Sequence, residues 1–197
     1  MDIEDTSARR RRELLEAAFA VIAEKGLEGL RTREVAERAG VNISTLFYYF
    51  GSKQALLVAV TGHVREVFAA PSASGGAAYA DLRSHLANAW ARFQANPDLA
   101  VVLQELMLRG RRDEQVRWAL ANILQHWHGV VRDLVRRGMD EDAFDSALDE
   151  DETAAALTSF VMGASLRLGV DKTAFSFETV ARALEDGLAP RRKGGAA

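Results

Sequence analysis

The 197-residue chain contains no cysteine, which excludes disulfides, thiolate catalysis and cysteine-ligated metal centres. Its net charge is −3, yet residues 6–65 carry ten Lys and Arg against six Asp and Glu. This basic end suggests a polyanionic partner, and a chance excess is the alternative. No apolar run approaches the ~18 residues of a membrane span, and no signal-peptide core is present, so we expect a soluble cytoplasmic protein without a membrane partner.

The first part of the chain shows apolar residues at helical spacing, interrupted by capping and turn residues. Thr32 and Asn42 are predicted to cap two short helices, Gly40 ends the first of them, and Gly51-Ser52 separates the second from a longer helix. The predicted helices of this part cover residues 14–25, 32–39, 42–50 and 53 to about 70.

A small-residue stretch, Pro71–Gly76, breaks the helical pattern and predicts a boundary. Beyond it, apolar stripes predict further helices, two of which start at Asn96-Pro97 and at Ser176. These helices cover about residues 79–95, 97–109, 114–137, 152–168 and 176–188. Alternating strand patterns are absent, so the sequence predicts an all-α protein of about nine helices.

The two short helices meet at Ala39–Asn42, where Gly40 suits a left-handed turn. This is the layout of a helix-turn-helix, although a helical hairpin with a glycine turn has the same pattern. The second short helix contains three consecutive aromatic residues, Phe47–Tyr49, while only Leu46 and Phe50 need to face inward. Exposed aromatic rings are costly in a purely structural helix, whereas on DNA they contact thymine methyls and their hydroxyls bond phosphates.

Residues 9–57 resemble the DNA-binding domain of the TetR (tetracycline repressor) family of transcriptional regulators. The resemblance has no gaps and covers about a quarter of the chain; the remainder is similar only in length and helical character. It is carried by Ala17-Ala18, Phe19, Gly26-Leu27, Thr32, Val35-Ala36, Ala39-Gly40-Val41, Thr45–Phe50, Ser52-Lys53 and Ala55-Leu56. It implies a sequence-specific regulator, a repressor that a small-molecule effector releases from a palindromic double-stranded DNA operator.

The resemblance also implies roles for individual residues of this first part. Thr32 would cap its helix and bond a phosphate, Arg33 would reach a base or the backbone, and Lys53 would bind a phosphate. Asn42 would both cap the second short helix and contact DNA. The residues expected at base edges are Ile43, Ser44, Thr45 and Tyr48, and those expected at phosphates are Phe47 and Tyr49.

Two positions depart from the family pattern, and several roles have simpler alternatives. Phe47 lacks the hydroxyl of the commoner Tyr, which favours apolar contact, and Tyr49 replaces the commoner His. The caps need not touch DNA, and Lys53 could be a solvated charge. Arg9–Arg12 could be a phosphate-binding arm or simply a solubilising helix start.

The resemblance divides the chain into residues 1–57 for DNA binding, a connecting helix to about 70, and residues 77–190 for effector binding and dimerisation. The basic, Gly- and Ala-rich end at 191–197 is predicted to be a disordered tail. In the family the last two helices form a homodimer interface. The residues expected there are Leu157, Phe160, Val161, Ala164, Leu168, Val180 and Leu184. An ordinary internal helix pair is the alternative, because small residues also favour close packing within one chain.

Large apolar side chains of the later helices are expected to line an effector pocket. They are Trp90, Phe93, Met107, Trp127 and Met162, and they indicate a mostly apolar or aromatic ligand. Packed core is the alternative for each of them. Glu105, His126 and His128 are polar candidates for orienting the ligand.

The sequence contains no constellation that would make it an enzyme, so we expect no catalytic residues, no metal and no cofactor. His126 and His128 are two residues apart and point to different faces of a helix, which argues against a shared metal ion. Two alternatives to an effector-controlled regulator stay open. One is a helical adaptor whose aromatic helix binds protein, and the other is a DNA-binding protein that senses no ligand.

Overall fold

The computed structural model describes residues 3–68, 75–171 and 176–190. Within these ranges the secondary structure is helical, which confirms the predicted all-α class and about nine helices. The helices are α1 (Ile3–Gly29), α2 (Thr32–Arg38), α3 (Ile43–Phe50), α4 (Lys53–Phe68), α5 (Ala78–Ala95), α6 (Pro97–Gly110), α7 (Glu114–Asp140), α8 (Glu150–Leu168) and α9 (Phe177–Leu188). Most of the predicted break at 71–76 and the predicted tail at 191–197 lie outside the described residues.

The chain forms two compact units. The first comprises Met1–Phe68 and Asn96–Ile123, and the second comprises Ala69–Ala95 and Leu124–Ala197. The first unit therefore takes in α6 and the start of α7, which lie inside the segment that the sequence assigns to effector binding and dimerisation. The functional boundary of that segment stays a prediction. None of the described helices is both long and apolar enough to cross a membrane.

The core of the first unit forms where α1 packs against α2, α4 and α6. Its fully buried side chains come from all of these helices and from α3, and each contributes about 1.5–3 kcal/mol by leaving water. They include Leu14, Val21, Ile22, Val35, Leu46, Leu56, Val60, Val102 and Leu106. The apolar residues that recur at helical spacing in the sequence are therefore the ones that face the core.

A break in α1 creates the main polar contact between α1 and α6. Gly26 has φ 67° and ψ 176°, which are not helical values. Regular helical geometry is therefore interrupted at the predicted Lys25-Gly26 position, three residues before α1 ends at Gly29. The Leu27 N–H donates to the Glu105 carboxylate at 2.9 Å, and a Cβ on residue 26 would lie 3.2 Å from the same carboxylate. Glu105 therefore anchors this break, and its expected role in orienting a ligand stays a prediction.

Asp113 joins three helices of the same unit. Its carboxylate accepts hydrogen bonds from the Gln54 side chain of α4 at 2.8 Å, from Arg109 of α6 at 3.1 Å and from the Val116 N–H of α7 at 3.2 Å. Burial opposes the charge and by itself would raise the pKa of Asp113, but these hydrogen bonds outweigh it and lower the pKa. Asp113 thus acts as the cap of α7 and as a link to α4.

In the second unit α5 packs against α8 and α9. The start of α5 is fixed by two acidic groups, since the Ala78 N–H donates to Glu141 at 2.8 Å and the buried Asp81 pairs with Arg137 of α7. At the other end of the chain, Ser176 caps α9 by accepting from the Thr179 N–H, as the sequence predicted. These contacts hold the helices that carry the predicted dimer and effector residues.

Candidate DNA-binding surface and effector unit

The turn between α2 and α3 has the geometry that the sequence predicts. Gly40 has φ 65°, in the left-handed region that glycine adopts without strain. The Gly40 N–H donates to the Glu37 carbonyl at 3.0 Å and the Val41 N–H to the Ala36 carbonyl at 2.9 Å. These bonds satisfy the last carbonyls of α2 and release the chain directly into α3.

Asn42 caps α3, and its side-chain oxygen is fully used in doing so. Its Oδ1 accepts hydrogen bonds from the Thr45 N–H at 2.9 Å, from the Ser44 hydroxyl at 2.5 Å and from the Thr45 hydroxyl at 3.0 Å. The cap predicted from sequence is therefore present. The two hydroxyls donate toward the cap, which leaves their lone pairs available on the outer side.

One face of α3 is buried and the other is open, as expected from its apolar residues. Leu46 and Phe50 face the core, while Ile43 and Phe47 are 37% and 39% exposed and Tyr48 is 82% exposed. Ser44 is also exposed, and Thr45 and Tyr49 are half-buried. The helix therefore presents an uncharged surface of aromatic, aliphatic and hydroxyl groups, which we call the α3 face (Ile43, Ser44, Thr45, Phe47, Tyr48 and Tyr49).

The start of α2 differs from the sequence-based expectation. Arg31 occupies the capping position with extended backbone, Thr32 is the first helical residue, and no side chain caps the helix. The expected capping role of Thr32 is therefore wrong, because the helix begins one residue earlier than a Thr32 cap requires. No described side chain bonds the free N–H groups of this first turn, so these groups stay available to an external acceptor.

Most positive charges near α2 and α3 are engaged by neighbouring acceptors. Lys25 pairs with Glu34, Arg38 pairs with Glu24 and Glu34, and Arg31 donates to the Glu28 carbonyl. These contacts were not predicted, because the partners are brought together by the fold and not by sequence spacing.

Two predicted DNA-contacting cations are open. Arg33 and Lys53 are exposed, and neither has an ion pair or hydrogen bond among the described residues. Although Lys53 is exposed, partial desolvation of its ammonium group, and then the charge of nearby Arg31, lower its pKa against the opposing charge of Glu28. An anion beside Lys53 would therefore relieve an unfavourable environment.

The basic run at Arg9–Arg12 lies within α1 and is partly engaged there. Arg9 and Arg10 contact Glu13, at 3.9 and 2.7 Å, and the Arg11 guanidinium lies 5.3 Å from the centre of the Phe50 ring. Because these side chains belong to an ordered helix, their geometry favours a helix start over an independent arm. A phosphate contact from this run stays a prediction.

The residues expected at a dimer interface fall into two groups. Leu157, Val161 and Ala164 are buried within the second unit, so little of their surface is open to a second copy. The remaining members are half-buried: Phe160, Leu168, Val180 and Leu184. Leu166, which is exposed on α8, was not among the expected residues.

A shallow groove lies on this same surface of α8 and α9. Its volume is about 310 Å³, and Gly163 lies within it with open space where a side chain would project. The groove residues are Ser159, Phe160, Gly163, Ala164, Arg167 and Val180. None of the expected effector residues lines this groove, whereas three of the expected dimer residues do.

The expected effector residues of the second unit form part of an aromatic core. Trp90, Phe93 and Trp127 are buried and Met162 is half-buried. The Trp90 ring stacks on Phe177 with centroids 4.5 Å apart. Phe177 also stacks with Phe160, at 5.2 Å. Met107 is half-buried and belongs to the first unit.

A partly buried polar contact accompanies these rings. The Trp127 indole N–H donates to His85 Nε2 at 3.0 Å, which requires the proton of the neutral imidazole to sit on Nδ1. Burial, and then the charge of Arg92, lower the pKa of His85. His85 was missed in the sequence, since only its distance from Trp127 in the fold makes it notable. His126 is exposed and His128 contacts Asp151, so neither lies in this contact.

Two protein-family models match this chain. The family model for bacterial regulatory proteins of the tetR family matches residues 14–60, and the model for the C-terminal part of BetI-type transcriptional repressors matches residues 64–191. The second match alone spans more than half of the chain. The chain belongs to the TetR family.

Individual TetR-family relatives match shorter segments. The regulator RutR of Escherichia coli is 37% identical over 62 residues, which are 32% of this chain and 29% of RutR. The repressor KstR of Mycolicibacterium smegmatis is 34% identical over 109 residues, 53% of this chain and 52% of KstR. The chain thus spans less than two thirds of these curated relatives. They are regulators and not enzymes.

The TetR-family fold extends over nearly the whole chain. A crystal structure of a putative TetR-family transcriptional regulator from Rhodococcus covers 91% of this chain and 96% of its own, with a TM-score of 0.74 and 26% identity. The N-terminal helix-turn-helix and the C-terminal helical region predicted from sequence are therefore confirmed as fold elements.

The His85–Trp127 contact predicts a pH-dependent contribution to stability. Because the pKa of His85 is lower in the folded chain, the contribution is present above the unfolded pKa of about 6.5 and is lost as the pH falls toward the folded value. We expect the difference in unfolding free energy between the wild type and His85→Gln to shrink between about pH 7.5 and about pH 5. Urea unfolding measures it, and His126→Gln, at an exposed position, is the control. An equal difference at both pH values would contradict the prediction.

Proposed function

We propose that the protein is a transcriptional repressor that binds a palindromic DNA operator as a homodimer and leaves it when a small apolar or aromatic effector binds. The observation that carries the proposal is the α3 face, an exposed surface on the second helix of a helix-turn-helix. Membership of the TetR family and the match to BetI-type repressors support DNA binding and repression. KstR, which is itself named a repressor, agrees with this.

The groups around α3 divide into two kinds of DNA contact. Within the α3 face, Ile43, Ser44, Thr45 and Tyr48 would meet base edges in the major groove, and Phe47 would make apolar contact beside them. The groups that would meet phosphates on either side are Tyr49, Arg33, Lys53 and the uncapped start of α2 at Thr32. Helix starts with free N–H groups bind phosphates well, since the partial positive charge of the helix adds to the hydrogen bonds. This arrangement needs no charged side chain in the groove itself.

The first test separates base reading from phosphate binding. Tyr48→Ala should cost about 1–3 kcal/mol in binding and relax the preference at particular base pairs. Lys53→Ala should weaken binding to all sequences alike and reduce the salt slope by roughly one. Quantitative mobility-shift titration on sites selected from random DNA measures both, and Arg83→Ala, an exposed cation of α5, is the control.

Two outcomes of this test would contradict the proposal. Failure of the purified chain to enrich any DNA sequence would favour the helical adaptor instead. A change of base preference in Lys53→Ala but not in Tyr48→Ala would reverse the assigned roles.

The dimer would form through the α8–α9 surface that carries the groove. This surface exposes more apolar area than is usual for a helix pair that faces only water, which is typical of a protein–protein interface. Its apolar side chains are the half-buried Phe160, Leu168, Val180 and Leu184 and the exposed Leu166. A two-fold dimer would present two α3 faces to half-sites about one helical turn apart, ~34–36 Å. The operator would then be an inverted repeat.

Gly163→Glu tests this interface without disturbing the protomer. A side chain at residue 163 projects into open space, so the protomer should fold normally while the added charge blocks a second copy. We expect sedimentation velocity to show a monomer where the wild type is a dimer. Gly129→Glu, on α7, also meets open space and is the matched control. A dimeric Gly163→Glu protein with an unchanged circular dichroism spectrum would place the interface elsewhere.

The effector site would lie among the aromatic side chains of the second unit, namely Trp90, Phe93, Trp127 and Met162. Their apolar rings and thioether suit an apolar or aromatic molecule, and the His85–Trp127 contact supplies polar groups that a ligand could engage. To shift DNA occupancy tenfold, the ligand must favour the released state by about 1.4 kcal/mol.

Tryptophan variants test the effector site once a compound that releases operator DNA is found by screening. Trp90→Ala should retain DNA binding and lose the response, because the ligand would lose its stacking partner. Trp118→Ala removes an exposed ring of the first unit and should respond normally. Release of Trp90→Ala at wild-type ligand concentrations would show that the site lies elsewhere. A screen without any active compound would favour a DNA-binding protein that senses no ligand.

A further inference from the structure

The α3 face lacks the side chains that usually read guanine. The helix has the sequence ISTLFYYF and contains no Arg, Lys, Asn, Gln, Asp or Glu. Guanine is commonly read by Arg or Lys through O6 and N7, adenine by Asn or Gln through N6 and N7, and cytosine by Asp or Glu through N4. None of these paired contacts is available from α3 itself.

Asn42, which directly precedes α3, cannot supply the missing paired contact. A bidentate contact to adenine requires its Oδ1 to accept from N6 while its amide N–H donates to N7. That oxygen already accepts three hydrogen bonds, from Ser44 and twice from Thr45. Freeing it would remove the side-chain cap of α3.

The cap also fixes the direction of two hydroxyl hydrogen bonds on the α3 face. Ser44 and Thr45 donate their hydroxyl protons to Asn42, so they face outward as acceptors only. In the major groove the donors that match an acceptor are the amino groups of adenine N6 and cytosine N4, whereas guanine presents only acceptors there. While these bonds to Asn42 persist, the two hydroxyls therefore favour adenine or cytosine over guanine at the positions they reach.

Apart from the phenolic hydroxyls of Tyr48 and Tyr49, which we expect to bond phosphates, the remaining surface of the α3 face is apolar and suits thymine. Ile43 and Phe47 lie four residues apart, one helical turn, and Tyr48 adjoins them with most of its ring exposed. Among the base edges of the major groove, the methyl group of thymine is the apolar feature that such side chains contact. Burying one methyl group improves binding by about fourfold.

We propose that α3 reads each half-site through thymine methyl groups, contacted by Ile43, Phe47 and Tyr48, and through adenine or cytosine amino groups, which donate to Ser44 and Thr45. Guanine N7 and O6 are not read by α3. This inference rests on the proposed DNA-binding function and names the base chemistry that its recognition helix accepts. If any guanine is read directly, the exposed guanidinium of Arg33 on α2 is the group that reads it.

Base analogues in the selected site test this assignment. The full-length protein is used to select sites from random duplex DNA, and each half-site thymine is then replaced by uracil, which lacks only the methyl group. We expect uracil at one or more positions to weaken binding about threefold to fivefold. In Phe47→Ala the loss at the thymine beneath residue 47 should disappear, while the losses at other thymines persist.

A second base substitution in the DNA tests whether α3 reads guanine. Replacing half-site guanines by 7-deazaguanine removes N7, and in Arg33→Ala this should change affinity by less than about twofold at every position. Affinity unchanged by uracil throughout, or a larger 7-deazaguanine effect that persists in Arg33→Ala, would overturn the inference while leaving sequence-specific binding intact. Failure to select any site would instead count against the proposed function, so the two failures are distinct.

Discussion

The DNA-binding end of this protein depends on the docking of α6 against α1 and α4. A segment of fewer than about 60 residues buries too little surface to be more than marginally stable. Here α6 supplies apolar side chains such as Val102 and Leu106 to the same core. Its Glu105 anchors the Gly26 break, and Asp113, just beyond α6, holds Gln54 of α4. The structural unit around the helix-turn-helix therefore extends past the segment that first resembles the family.

Electrostatics in this unit distinguish charges that hold the fold from charges that face outward. The excess of positive charge in residues 6–65 suggested a polyanion-binding end, but Lys25, Arg31 and Arg38 are engaged by neighbouring carboxylates or carbonyls. Exposed ion pairs of this kind add little to stability. Their main consequence is that the positive potential near α3 comes from a few open cations at its edges, while the α3 face itself is neutral.

Sequence patterns predicted those features that depend on local chemistry. The helix positions, the left-handed Gly40, the Asn42 and Ser176 caps, and the inward-facing Leu46 and Phe50 all follow from spacing and residue type over a few residues. The predicted Thr32 cap was wrong by one position. Neighbouring residues can each serve as the start of a helix, and the sequence alone does not decide between them.

Long-range contacts could not be predicted in the same way. Nothing in the sequence pairs Glu105 with Leu27 or His85 with Trp127, since the partners are separated by 78 and 42 positions. The burial of Leu157, Val161 and Ala164 likewise depends on what packs against α8. Small and apolar residues at helical spacing fit an internal helix pair as well as an interface, so the sequence left both open.

The distribution of the three tryptophans gives the protein distinct intrinsic fluorophores. Trp118, 70% exposed, lies in the first unit, whereas Trp90 and Trp127 are buried in the second. An exposed indole emits at longer wavelength and is accessible to aqueous quenchers. Trp90, stacked on Phe177, and Trp127, bonded to His85, are shielded from them. Without an added label, the quenchable emission of Trp118 therefore reports changes in the first unit. The shielded emission of Trp90 and Trp127 reports changes in the aromatic core of the second.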